Sequence, residues 1–199
     1  MLGPLSSTIQ GVVKFTWPMI IISVIIIAST RLAYLFKNHE KVVIYKELLM
    51  LSFIVYILCL FQVVTYQDDV SWATNNFIPF REIFRYDIGS KLFFKNVLGN
   101  MVMFLPFGFF ISYYLKSDKI GLPLFITVIA SVSIEVVQML IGRVFDVDDI
   151  LLNILGGISG FLLYYILSNI WSRLPKIFKN EILLDVVAIL ILVGLFMLL

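Results

Sequence analysis

Residues 120–141 read IGLPLFITVIASVSIEVVQMLI, and Glu135 is the one ionisable side chain in these 22 positions. A helix of that length, rising about 1.5 Å per residue, covers the roughly 30 Å of hydrocarbon in a bilayer. The run is apolar almost throughout and lacks the charged face of a soluble amphipathic helix, so it needs lipid as its solvent. The same holds for the whole chain of 199 residues, which is 61% hydrophobic and only 14% charged. Its mean hydropathy is +1.02. An ordinary soluble domain is about a quarter charged, and a soluble globule is excluded.

Outward from that stretch, further apolar runs cover Phe15 to Phe36, Leu48 to about Tyr66, Asn96 to Leu115, about Val147 to Ile170, and Ile182 to Leu199. The first is too long for the apolar region of a cleaved leader and reads as a span. The expected fold is all-α, a polytopic transmembrane helix bundle of about six spans. Residues 1–66 would hold two helices. Residues 67–170 would form a core of three helices behind a polar loop, 67–95, and residues 171–199 a loop and a last helix. A formal net charge of +2, dispersed along the chain, excludes a basic nucleic-acid-binding face. One cysteine, Cys59, and one histidine, His39, leave no basis for disulfide, haem or zinc chemistry. No cofactor or metal is expected.

Lysines and arginines in short loops stay on the cytoplasmic side. Lys37, Lys41 and Lys46, then Lys116 and Lys119, then Arg173, Lys176 and Lys179 fall in alternate loops, which predicts those loops to be cytoplasmic. The opposite face would carry the long loop, the turn containing Arg143, and most carboxylates, including Asp68, Asp69, Glu82, Asp87, Asp146 and Asp148.

An ionised side chain inside hydrocarbon costs several kcal/mol, so Glu135 is a candidate functional residue. Ser131, Glu135, Gln138 and Gly142 follow steps of four, three and four, which predicts one helix face. Asp146, Asp149, Asn153, Gly156 or Gly157, and Gly160 repeat the pattern on the next helix, with Arg143 as the nearest cation. Gly156 and Gly160 permit close helix approach, within the chain or in a homodimer. Asn96 and Asn100 are four apart, and Pro106 should bend the helix that follows them. Asn75, Asn76 and the apolar Phe77-Ile-Pro-Phe80 precede Arg81, a segment suited either to dipping into the membrane interface or to capping it.

Four motifs then occur in order: Asn76-Phe-Ile-Pro-Phe80; Asn96-Val-Leu-Gly-Asn100 running on to Phe104-Leu-Pro106-Phe-Gly108; Ser133-Ile-Glu135-Val-Val-Gln138; and Arg143-Val-Phe-Asp146-Val-Asp-Asp149-Ile-Leu-Leu-Asn153-Ile-Leu-Gly156. Together they resemble the VanZ family over about Asn75 to Tyr165, leaving the first two spans outside. The resemblance implies a bacterial cell-envelope protein of the cytoplasmic membrane, since the family's namesake is associated with low-level resistance to teicoplanin, a lipoglycopeptide. It carries over no catalytic residues. The motif positions it marks are Arg81, Asn96, Asn100, Glu135, Gln138, Arg143, Asp146, Asp149 and Asn153.

Three functions suit these residues. The first is an outward-facing polar pocket that binds a membrane lipid, an anionic lipid-linked cell-wall precursor or a lipoglycopeptide. Arginine would fork onto phosphate or carboxylate, Glu135 would orient an arginine, and amides would meet sugar or peptide groups. The second is an enzyme acting on a lipid phosphate or glycosyl group with Glu135 or Asp149 as general base. No recognised catalytic motif supports it. In that enzyme, Glu135, Asp146, Asp148 and Asp149 would alternatively be the oxygen ligands of a divalent cation. The third is a small proton-coupled lipid transporter.

Overall fold

The computed structural model describes the backbone of residues 3–65 and 75–198, with side chains described over 17–65, 75–94 and 96–194. Asp68 and Asp69 lie outside the described residues, as does the end of the second predicted span at Tyr66. Among the described residues six long helices follow one another: α1 (Gly3–Lys37), α2 (Ile44–Thr65), α3 (Lys91–Leu115), α4 (Gly121–Leu140), α5 (Val147–Arg173) and α6 (Glu181–Leu198). Among the described residues five of them, α1 to α5, are long and apolar enough to cross a membrane. The expected all-helical bundle is what forms, and the sole β pairing among the described residues is an isolated parallel bridge between Asn76 and Asp146.

The third helix departs from its expected start at Asn96. It begins five residues earlier, where Ser90 caps it by accepting a hydrogen bond from the Phe93 N–H at 3.1 Å. It then passes through a π turn, Phe94–Leu98, before continuing as an α-helix from Gly99. The wider turn changes the angular spacing, so Asn96 and Asn100 do not repeat in simple α-helical register. Nothing in the sequence signals this turn.

The helix ends follow from local chemistry. At the close of α4 the Arg143 N–H bonds the Gln138 carbonyl at 2.9 Å and the Gly142 N–H bonds that of Met139 at 3.2 Å. This paired closure needs a left-handed residue, and Gly142 supplies φ +85°. Gly142 therefore ends the helix, and the face expected to run through it stops at Gln138. Three residues beyond Arg143, the Asp146 side chain accepts from the Asp148 N–H at 2.9 Å and caps α5. Asp148 and Asp149 then sit in the first turn, where the helix dipole favours negative charge.

The chain forms two compact units. One comprises Leu60–Asn169 with the first turns of α1 up to Val12; the other comprises Val13–Cys59 and Ile170–Leu199. In the first, α5 packs against α3 through glycine. A Cβ added to Gly108 would overlap the Gly157 backbone, one on Gly156 the Met101 carbonyl, and one on Gly160 the Leu105 carbonyl. Close approach is thus used within the chain, and Gly156 and Gly160 are filled by α3 rather than free for a second copy. Phe104, Phe107, Leu152 and Phe161 complete this core.

In the second unit Arg31 makes a forked pair with Glu47, at 2.9 and 3.1 Å. Lys46 meets Glu181 at 3.1 Å, and Asp185 accepts from the Tyr45 N–H at 2.8 Å, capping the start of α2 from α6.

Candidate functional site

The stripe expected along α5 divides into two seams. Toward α4, Asn153 donates to the Ser131 hydroxyl at 3.1 Å, and one turn further Gly157 lies against Thr127. Toward α3, Asp149 accepts a short hydrogen bond from the Asn100 amide, followed by Gly156 and Gly160. Ser131, Glu135 and Gln138 are all buried on α4. The polar faces read from i, i+3 and i, i+4 spacing therefore do point inward, and they meet.

Above these seams, the turn from Gly142 to Asp146 is stitched to the long loop. The Asn76 N–H bonds the Phe145 carbonyl at 2.8 Å, and the Val147 N–H bonds the Asn76 carbonyl at 3.0 Å. The Asn76 amide donates to Asp146 at 2.8 Å, while the Asn75 side chain accepts from the Phe145 N–H at 3.0 Å. Phe77 stacks on Phe145 with ring centroids 5.3 Å apart. Glu135 accepts from the Asp146 N–H at 2.9 Å, so the carboxylate inside the span anchors the turn, and it forms no salt bridge among the described residues.

Asp148 makes the densest set of contacts. One of its carboxylate oxygens accepts from the Phe80 N–H at 2.5 Å; the other accepts from Glu82 at 2.7 Å and Ile83 at 3.2 Å. The side chain is buried, and it stabilises a bend in which Phe80 adopts φ +67°. Non-glycine residues rarely occupy that left-handed conformation. Asn76 was expected only as part of the loop motif and Asp148 only as one of four acids that could hold a cation; neither was marked as a residue that holds the loop. The only sequence signals for them were the Asp-x-Asp spacing and the asparagine ahead of Phe77-Ile-Pro-Phe80.

The cations behave differently. Arg143, exposed at its backbone turn, donates to the Val64 carbonyl at 2.6 Å. Gln138 reaches the same oxygen at 3.3 Å. Arg143 forms no salt bridge with Asp149, which binds Asn100 instead. The Arg81 side chain is exposed and has no hydrogen-bond or ion-pair partner among the described residues, and the Asn96 side chain has no hydrogen-bond partner among them. The three ion pairs among the described residues are Arg31–Glu47, Lys46–Glu181 and Arg85–Glu82, none using Arg81 or Arg143.

Burial pushes the Asp146 carboxyl above its ordinary range, against the opposing pull of the Asp148 N–H and the Asn76 amide. Among the described residues no group of three His, Cys, Asp or Glu side chains is arranged to hold a metal ion. The four acids considered as oxygen ligands are spread over different tasks: capping α5, holding the loop, anchoring the turn and binding Asn100. Asn153 is left with one orphan, its buried Oδ1, which has no hydrogen-bond partner.

Comparison with known proteins fits this geometry. No curated protein and no solved structure matches the chain. The VanZ/LLP1 family model matches residues 53–168, more than half of its length. The match starts earlier than the motifs alone indicate and takes in the second half of α2, which was expected to lie outside. A physical reason is the Val64 carbonyl near the end of that helix, which receives both Gln138 and Arg143. With this span of sequence matched and its helices long enough to cross a bilayer several times, the chain is a multi-pass membrane protein that belongs to the VanZ/LLP1 family.

Proposed function

We propose that this protein acts in the bacterial cytoplasmic membrane as a binder of an anionic, lipid-linked envelope component or a lipoglycopeptide, contributing to teicoplanin resistance. The binding end is the outward-facing pair of loops joined by Asn76, Asp146 and Asp148. One observation carries the reading. Arg81 and Arg143 form no salt bridge among the described residues, while Glu135, Asp146 and Asp148 accept hydrogen bonds from neutral N–H donors. Guanidinium groups left in this state suit the forked recognition of phosphate or carboxylate. The flanking apolar helices suit an acyl or prenyl tail.

The test is glycopeptide susceptibility of a sensitive bacterium expressing the chain, comparing teicoplanin with unlipidated vancomycin at matched protein level. Selective protection against teicoplanin is expected, lost in Arg81→Ala and Arg143→Ala. Glu135→Gln keeps an acceptor oxygen for the Asp146 N–H and should retain most of it. Loss in Glu135→Gln with retention in both arginine variants would overturn binding in favour of carboxylate chemistry. No protection by the well-expressed parent would overturn the resistance role.

A further inference from the structure

Between the bend held by Asp148 and the start of α3, the chain exposes large apolar side chains in succession. Phe84 is 82% exposed and Ile88 91%, with Ile78 and Phe80 also more than half exposed. Scattered exposed apolar residues need no explanation, but a contiguous run of this size does. Exposed Arg81 and Lys91 lie in the same segment, while Arg85 is occupied by Glu82 at 3.0 Å. With Glu82 engaged, Asp87 is the one carboxylate left on the segment against these two cations.

Chain continuity locates the segment. The α3 span has 25 residues, about 37 Å at the helical rise, more than the roughly 30 Å of hydrocarbon. The excess of about 7 Å lets its first turn, at Lys91, reach the headgroup region, and Ile88 is three residues before it. A large apolar side chain at that level has hydrocarbon within reach, and a lysine or arginine beside it has lipid phosphate within reach.

We propose that residues 78–91 form an interfacial element that seats Ile78, Phe80, Phe84 and Ile88 among the acyl chains of the surrounding bilayer, with Arg81 and Lys91 binding the headgroups of anionic phospholipid. Asp148 prearranges it. By gathering the N–H groups of Phe80, Glu82 and Ile83, this buried carboxylate supplies hydrogen bonds that lipid could not, as backbone at membrane level requires. The assignment shares Arg81 with the glycopeptide reading but concerns bulk lipid, and it is read through Ile88 and Lys91 without Arg143 or an antibiotic.

The test uses the full chain in vesicles, with Trp17, Trp72 and Trp171 changed to Phe and Ile88→Trp as the reporter. Brominated phosphatidylcholine should quench Ile88→Trp and aqueous iodide should reach it poorly. Brominated phosphatidylglycerol should quench it more strongly, and that preference should fall about fivefold for each cation removed in Arg81→Gln and Lys91→Gln. Free quenching by iodide with none by brominated lipid would overturn the proposal by placing the loop in water. Shielding from both would overturn it in favour of a protein cover, such as a second copy. Equal quenching by the two lipids, unchanged in the glutamine variants, would overturn the anionic-headgroup assignment.

Discussion

Helices α1 and α5 are both long and apolar, yet 6% of the α1 span is buried within the chain against 39% of α5. The difference is in the side chains that are not hydrophobic. Helix α5 carries Asn153, Gly156, Gly157 and Gly160, and each has a defined neighbour on α3 or α4. In lipid, apolar surface gives no preference for one partner over another, because acyl chains are as apolar as leucine. Small residues that let backbones touch, and polar groups that must be paired, therefore specify which helices pack. Helix α1 lacks such a set along most of its described length, and its ion pair, Arg31 with Glu47, lies near its end. Hydrophobicity puts both helices in the membrane; the exceptions to hydrophobicity arrange one of them.

The sharpest way to break this contrast is to fill a glycine seam. Gly108→Leu would force side-chain atoms into the Gly157 backbone, and we expect it to cost more than about 3 kcal/mol, the upper part of the range for overpacked cores. Thermal denaturation in detergent, followed by size-exclusion chromatography, should show loss of the folded species. Gly194→Leu on α6, where an added Cβ meets nothing within 4 Å, should leave the profile unchanged. Equal sensitivity at both positions would end the distinction.

A smaller effect is expected at the junction of the loops. Asp148→Ala removes the acceptor for three backbone N–H groups and should cost about 3 kcal/mol, with Asp148→Asn falling between it and the parent. Limited proteolysis should open first at residues 78–91. If the loop stays resistant in Asp148→Ala, its conformation is set elsewhere.

The smallest expected effect separates two polar pairs. A double-mutant cycle on Ser131 and Asn153, using Ser131→Ala and Asn153→Leu, should give a coupling of about 0.6 kcal/mol, the average for hydrogen bonds between membrane helices. The same cycle on exposed Lys46 and Glu181 should give a coupling that vanishes as salt is raised. A salt-dependent coupling at Ser131 and Asn153 would show that water reaches the seam.

The sequence made much of this arrangement readable, and the readable parts share a cause. Periodicity along a helix is a local property, so Ser131 beneath Glu135, Asn153 beneath Asp149, and the glycines at 156 and 160 could be placed on inward faces directly from their spacing. Which inward face meets which helix is not local, and the single stripe expected on α5 proved to be two. Asp148 shows the limit most clearly. Its partners are backbone N–H groups of residues 80, 82 and 83, and every residue type except proline supplies one, so no side-chain pattern announces the match. The π turn at Phe94–Leu98 was illegible for a similar reason, being a choice of backbone geometry within an otherwise helical apolar run.

The bridge between Asn76 and Asp146 also fixes an order of events. These two residues are 70 positions apart, and two spans, α3 and α4, intervene. A ribosome delivers Asn76, the bend at Phe80 and the start of α3 long before it delivers the carboxylate that holds them. During synthesis the first loop of the core therefore waits, without its backbone acceptors, until α5 enters the membrane. The last helix of the core to arrive is the one that gives the first loop its shape, so a chain truncated before Asp148 would keep α3 and α4 but lose the surface that joins them.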